Sequence, residues 1–243
     1  MSIPHPPRSC NFRGTMIFSP NTKTLAVLVD PEKPPVHPEG FIGKTDMILV
    51  GGSGANGSNW DSELHHLFSL PIPVYLFPGN HTQICKKADG VLILNLLSGN
   101  NAQFLGEEQR KAALQINELQ LTTHPTSYLL VDGGHTSTTQ KITQTKPIHN
   151  MANDHSASLF LLSKQLGKQS IYLEAGSGAV EPVNPTLIRQ AKKLCPEMHV
   201  FVGGGIKTPE QAKAAWDAGA NTVVIGNHLE ENPDQLNTFW LIK

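Results

Sequence analysis

The chain has 243 residues, 19 of them basic and 20 acidic, for a formal charge of −1 at pH 7. That balance excludes the global positive field that gathers nucleic acid or an anionic membrane surface, and no apolar stretch approaches the length of a bilayer span. The length matches the roughly 250 residues of one barrel-sized α/β domain, ample to bury a core.

Residues 1–22 read as an N-terminal arm, with prolines where a secretory leader would need an apolar run. The three cysteines, Cys10, Cys85 and Cys195, are widely scattered. They suggest buried thiols in a reducing compartment, so a cytoplasmic chain is expected. Eight strand-like runs follow. Leu25–Val29 ends at Asp30-Pro31 and Met47–Val50 at Gly51-Gly52-Ser53-Gly54; Val74–Phe77 ends at Pro78-Gly79-Asn80 and Val91–Leu97 at Ser98-Gly99-Asn100. Ser127–Val131 ends at Asp132-Gly133-Gly134, and Ile171–Leu173 at Glu174-Ala175-Gly176-Ser177-Gly178. The last two are Phe201-Val202 and Thr222–Ile225. Most interiors are continuously apolar, as in strands covered on both faces. Helical spacing is predicted over Asn59–Leu70, Glu107–Leu119, Asp154–Leu166 and Pro185–Leu194, the last with Asn184 as N-cap. Only Thr82–Asp89 separates the third and fourth strands, so that repeat should be poor in helix. His135–Met151, rich in Thr and Gln, is long enough to act as a lid. Strand and helix alternate throughout one domain, which predicts a (β/α)8 TIM barrel.

Residues 203–227 carry the sharpest signal. Gly203, Gly204 and Gly205 end a strand, and the missing Cβ atoms let backbone N–H groups approach an anion. Thr208 suits the N-cap of the next helix, Pro209 its first turn, and Gln211 completes a capping-box spacing. A short β-branched strand then stops at Gly226-Asn227. Two adjacent glycine-rich strand ends late in a barrel form a phosphate cradle; an ordinary crossover with glycine turns is the bland alternative.

In a barrel, chemistry gathers at the strand C-termini. Asp30 and Ser53 are adjacent strand-end oxygens, a carboxylate and a hydroxyl that suit Mg²⁺ shared with water and substrate phosphate. Asp-Pro is also ordinary turn chemistry. Asp30 with Asp132 could instead do acid–base work on a sugar phosphate. Glu174 ends an apolar strand on the same side as Tyr172, facing the lumen. A carboxylate there is costly unless hydrogen-bonded or functional. Ser177 and Gly178 offer a hydroxyl and a free N–H to the same pocket. The 11 histidines show no HExxH or i, i+4 ligand spacing; only His81 and His135 follow strand ends.

The chain resembles the geranylgeranylglyceryl phosphate synthases and their bacterial heptaprenyl-using relatives from Leu25 to Asn227. The resemblance rests on Asp30-Pro31-Glu32-Lys33, Gly51-Gly52-Ser53, Leu76-Phe77-Pro78-Gly79, Leu96–Asn100, Tyr172–Gly178, Gly203–Ile206 and Gly226-Asn227. The alanine in the sixth-strand run looks like the longer, second branch of that family. The resemblance implies a Mg²⁺-dependent prenyltransferase. Such an enzyme joins sn-glycerol 1-phosphate to a prenyl diphosphate, here geranylgeranyl diphosphate, to give an ether that partitions to membrane, plus pyrophosphate. It implies Asp30 and Ser53 as metal ligands. Glycerol phosphate would be held by Tyr172, Leu173, Glu174, Ala175, Gly176, Ser177 and Gly178, by Gly203, Gly204 and Gly205, and by Gly226 and Asn227. Two positions depart from the family pattern: Leu28 replaces a lysine frequent in the shorter branch, and Asn80-His81 replace a small residue.

The reaction is physically consistent with these residues. Glu174 beside Tyr172 is placed to accept the proton of the attacking hydroxyl, and the glycines orient it. Two other readings stay open here: a sugar-phosphate isomerase or cyclase using Asp30 and Asp132, and a barrel that only binds a phosphorylated ligand. A homo-oligomer is expected, with Trp60 and Trp240 as exposed apolar candidates for its interface.

Overall fold

Strands with apolar side chains at successive positions must be covered on both faces, and a closed barrel inside a helical layer does this. The computed structural model describes residues 18–52, 57, 59–226 and 235–243. Within them eight parallel strands pair in chain order and close: β1 (Thr24–Val29), β2 (Met47–Val50), β3 (Val74–Leu76), β4 (Gly90–Leu96), β5 (Thr122–Leu130), β6 (Ser170–Glu174), β7 (His199–Gly203) and β8 (Thr222–Ile225). Thr24 pairs with Thr222 and Val27 with Ile225 where β1 meets β8. Alternate residues divide two cores. Met47, Leu49, Leu92, Tyr172, Phe201 and Val224 fill the lumen; Ile48, Val50, Leu173, Val200, Val202 and Val223 meet the helices.

The helices are α1 (Trp60–Glu63), α2 (His65–Phe68), α3 (Glu108–Glu118), α4 (Thr138–Thr143), α5 (Asp154–Gln165), α6 (Pro185–Leu194), α7 (Pro209–Asp217) and α8 (Leu236–Leu241). Their starts follow the capping chemistry in the sequence. Thr208 and Gln211 form the capping box of α7, and Asn184 Oδ1 accepts the Thr186 N–H at 2.9 Å before α6. Leu187, Ile188 and Ala191 then put one face of α6 into the core.

Three expectations change. The single helix predicted over 59–70 is two short turns, broken where Leu64 leaves the helical basin at φ −105°, ψ 19°. β5 begins at Thr122, five residues earlier than its apolar run, because Thr122–Thr126 pair along β4 despite their polarity. Trp60 is 1% exposed and packs in the outer core, so it marks no interface; Trp240 is half-buried, with Lys243 Nζ 3.8 Å from its ring centroid. The 135–151 segment holds α4, capped by Ser137 Oγ, and Val131 bridges to Ile148. The third repeat has no helix between β3 and β4, as expected, and those strands share only two register pairs. Among the described residues no helix is long and apolar enough to cross a membrane. Cys85 and Cys195 are free and buried.

Candidate active site

A cavity of about 660 Å³ opens over the strand C-termini. Of the residues predicted for the site, it brings together Asp30, Tyr172, Glu174, Gly176, Ser177, Gly178, Gly204, Gly205 and Gly226 on one wall system. Leu173 and Ala175 turn their side chains into the outer core, as strand alternation demands, so only their backbone can face the site. Gly203 does not line the cavity but pairs with Glu174, which does. Ser53 and Asn227 lie outside the described residues. Asp132 is absent from this wall: it is exposed, borders a separate hollow with His135 and Lys146, and its Oδ1 accepts the Gly134 N–H at 3.0 Å. The Asp30–Asp132 acid–base pair is therefore not assembled, because the chain spends Asp132 on its own turn.

Glu174 ends β6 with 7% of its surface exposed. Burial pushes its carboxyl up to about 7, against the pull of the Gly176 N–H, which donates to Oε1 at 2.7 Å, and of neighbouring Tyr172. Tyr172 is fully buried, and burial raises its phenol well above the usual range, with the Glu174 charge adding to it. Tyr172 is thus a neutral hydroxyl at any ordinary pH, a donor rather than a base. Its Oη nevertheless makes no well-formed hydrogen bond. A buried hydroxyl without a partner costs about 1–3 kcal/mol, and at the wall of a cavity that cost suits a ligand not yet present.

The triple glycine is dictated by these two side chains. Gly203 pairs with Glu174 across β6 and β7. A Cβ on it would lie 2.5 Å from Tyr172 Oη and 3.1 Å from Glu174 Oε2. At Gly204, φ is +80° and a Cβ would lie 2.6 Å from both Glu174 Oε1 and the Gly176 nitrogen. Only glycine meets both demands. The loops after β6 and β7 therefore close on each other, and their backbone, with Ser177 and Lys207, lines one side of the cavity.

Across the mouth Asp30 is half-buried, and its Oδ1 accepts the Glu32 N–H at 3.0 Å. Gly52 leaves room beside it: a Cβ there would sit 3.2 Å from Oδ1. Among the described residues no three His, Cys, Asp or Glu side chains gather to hold a metal. One carboxylate completed by water and phosphate oxygens is what Mg²⁺ accepts and what a structural transition-metal site does not.

Three parts of the site escaped the sequence. An apolar arm leaves the cavity past Ile84, Val91, Ile93, Ala112 and Ile116, between β4 and α3, where the helix-free third repeat leaves the barrel's outer face without a covering helix. Thr138, Thr139, Ile142 and Thr143 of α4 form a roof. Ser137 packs on the loop after β6, 2.7 Å from where a Cβ on Gly176 would be. Only the length of the 135–151 segment hinted at this. Near the arm, Glu108 of α3 accepts from His81 Nδ1 at 2.7 Å, from the His81 N–H at 2.8 Å and from Gln103 Nε2 at 2.9 Å. Glu108 lies within a helical pattern, and nothing in its spacing announces this pairing.

Known proteins are similar to this chain in sequence and fold. The PcrB family model matches residues 23–241. The chain is 41% identical to the geranylgeranylglyceryl phosphate synthase of Zunongwangia profunda, over 86% of this chain and 92% of that protein. It is 37% identical to the synthase of the same name from Spirosoma linguale, over 88% of each. Among solved structures, the (S)-3-O-geranylgeranylglyceryl phosphate synthase of Thermoplasma acidophilum, in complex with its substrate sn-glycerol-1-phosphate, superposes with a TM-score of 0.82 at 29% identity, covering 91% of this chain and 93% of that one. The Thermoplasma volcanium enzyme gives 0.80 at 28% identity. With nearly its whole length matched, and with a closed barrel whose glycine cradle and buried glutamate meet in one cavity, this chain belongs to the PcrB family.

Proposed function

We propose that the protein is a prenyltransferase that joins sn-glycerol 1-phosphate to geranylgeranyl diphosphate, forming an ether and releasing pyrophosphate. One observation carries this reading: a single cavity contains Asp30, the Glu174–Tyr172 pair, a glycine cradle and an apolar arm. A phosphate ester, an allylic chain and a metal-binding carboxylate each find their own wall. The names of the relatives and the glycerol phosphate bound to the Thermoplasma acidophilum enzyme support the same reading.

In this mechanism the loops after β6, β7 and β8 hold the phosphate by backbone N–H groups, which fixes the glycerol hydroxyl. The Tyr172 hydroxyl, which makes no well-formed hydrogen bond within the protein, donates to glycerol phosphate. Glu174, as carboxylate, takes the proton from the attacking hydroxyl while the new C–O bond forms at the allylic carbon. The allylic C–O bond to the diphosphate breaks, and its electron pair leaves with pyrophosphate. A carboxyl held near 7 matches a base working at neutral pH. Mg²⁺ held by Asp30 and Ser53 would supply positive charge to the departing diphosphate. The apolar arm and the α4 roof keep water from the allylic centre. Asp132, placed outside the cavity, counts against the isomerase reading.

The test is an extraction assay with labelled sn-glycerol 1-phosphate and prenyl diphosphates of increasing length, with and without Mg²⁺. The expected result is an organic-soluble product that disappears with EDTA. No such product under any condition would refute the proposal.

A further inference from the structure

The cavity contains a pair that the mechanism above does not use. His81 follows β3 on the loop that replaces the missing helix, and Glu108 opens α3; both line the cavity. The Glu108 side chain is 8% exposed and that of His81 is 40% exposed. Burial alone would raise the Glu108 carboxyl, but the donors on it outweigh burial: the His81 backbone N–H, the His81 ring and Gln103 hold it below the usual carboxylate range. A ring nitrogen 2.7 Å from a carboxylate oxygen carries the proton, so Nδ1–H donates to Glu108. Nε2 has no protein partner among the described residues.

The position of the pair sets what it can meet. Ile84 stands three residues after His81 and Ala112 one turn after Glu108, and both begin the apolar arm. On the other side Gln83 ties this loop to the metal side: its Nε2 donates to Gly52 O at 2.8 Å, its Oε1 accepts the Gly79 N–H at 2.8 Å, and Gly52 packs beside Asp30. His81 therefore sits where an apolar arm meets a carboxylate suited to Mg²⁺. The head of an amphipathic diphosphate belongs at that junction, and the glycerol phosphate cradle lies across the cavity on β6 to β8. We propose that His81 donates a hydrogen bond from Nε2 to the diphosphate of the prenyl substrate, and that Glu108, holding the ring through Nδ1, is the positioning residue that fixes its orientation. This rests on the reading given under Proposed function and adds a residue contacting the leaving group. The remaining charged groups around the pair are Lys111, 3.9 Å from Glu108, and Glu107, paired to Lys111; Asp30, Glu32 and Lys33 line the facing wall.

A direct test measures binding of inorganic pyrophosphate with Mg²⁺, and separately of sn-glycerol 1-phosphate, to the full chain by calorimetry. The variants are His81→Gln, Glu108→Gln and the double substitution. His81→Gln should weaken pyrophosphate about 10- to 100-fold, the range of one charge-assisted hydrogen bond, and leave glycerol phosphate within about twofold. Glu108→Gln should weaken pyrophosphate less, and the double variant should match His81→Gln alone, since Glu108 acts through the ring. Unchanged pyrophosphate affinity in His81→Gln, additive losses in the double variant, or equal loss of both ligands would overturn the proposal. Binding needs no turnover, so failure here leaves the prenyltransferase reading to its own product assay, and an inactive wild type would refute that reading alone.

Discussion

At the N-terminal end of the barrel Thr222 Oγ1 lies 2.6 Å from Thr24 Oγ1 and 2.7 Å from His199 Nε2, and Thr126 Oγ1 lies 2.8 Å from Ser170 Oγ. At the C-terminal end Tyr172 Oη is as deeply buried and makes no well-formed hydrogen bond, and Glu174 keeps a carboxyl where burial disfavours its charge. The first end is closed by Phe18, whose ring stacks on His124 at 4.1 Å; His124 Nε2 is the unpaired polar atom of that floor. The second end opens into the cavity. Paired hydroxyls hold the first end shut, whereas at the second the Tyr172 hydroxyl and the Glu174 carboxyl face a cavity where a ligand can meet them.

Substitutions that separate activity from stability sharpen this contrast. Glu174→Gln should cost the most turnover, about 10²- to 10⁴-fold in kcat. It should also raise Tm at pH 8. The sign follows from linkage: a carboxyl raised from 4.5 to about 7 binds its proton more tightly when folded, so its contribution to stability falls as pH rises through that window. The whole effect is on the order of 3 kcal/mol. His124 and His199 act in the opposite sense. Burial lowers them to about 4 and about 3, so their contribution is present above the unfolded histidine range and is lost as pH falls through it. The Tm gap between Glu174→Gln and wild type should therefore widen from pH 5 to pH 7.5, and a constant gap would break the contrast.

Gly204→Ala comes next. Its φ of +80° and a Cβ 2.6 Å from Glu174 Oε1 and the Gly176 nitrogen should displace the cradle. Glycerol phosphate binding should weaken about 10- to 100-fold, together with about 1–2 kcal/mol of backbone strain. Two hydroxyl deletions give the closest comparison. Thr222→Val strands His199 Nε2, while Thr24 Oγ1 keeps its bond to Asn221 O at 3.2 Å, and should cost about 1–3 kcal/mol with kinetic constants unchanged. Tyr172→Phe removes a hydroxyl that makes no well-formed hydrogen bond, so Tm should hold or rise while KM for glycerol phosphate climbs about tenfold. Equal Tm losses in the two variants would show that position in the barrel decides nothing.

The sequence exposed what depends on local rules. Met47–Val50, Thr222–Ile225 and Pro185–Leu194 carry their period, caps and turn residues within themselves, and the structure keeps their bounds. Glu174 was legible because an acid at the end of an apolar strand has few structural uses. The start of β5 was not, since Thr122–Thr126 lack an apolar run and Pro125 disfavours a strand, and only pairing with β4 reveals it. The apolar arm comes from Ile84, two residues on β4 and two on α3, the β4 and α3 pairs set more than fifteen positions apart, facing a gap left by an absent helix. The His81–Glu108 pair is likewise 27 positions apart in sequence. Distances of that kind belong to the closed barrel and to no single segment.

The direct test of the account is the pH dependence of single-turnover ether formation by the wild-type chain with saturating Mg²⁺. If Glu174 removes the glycerol proton, the rate should rise about tenfold per pH unit below its titration and level off above about 7, and the rising limb should vanish in Glu174→Gln. A rate that is flat across this range in the wild type, or a limb that survives the substitution, would contradict it.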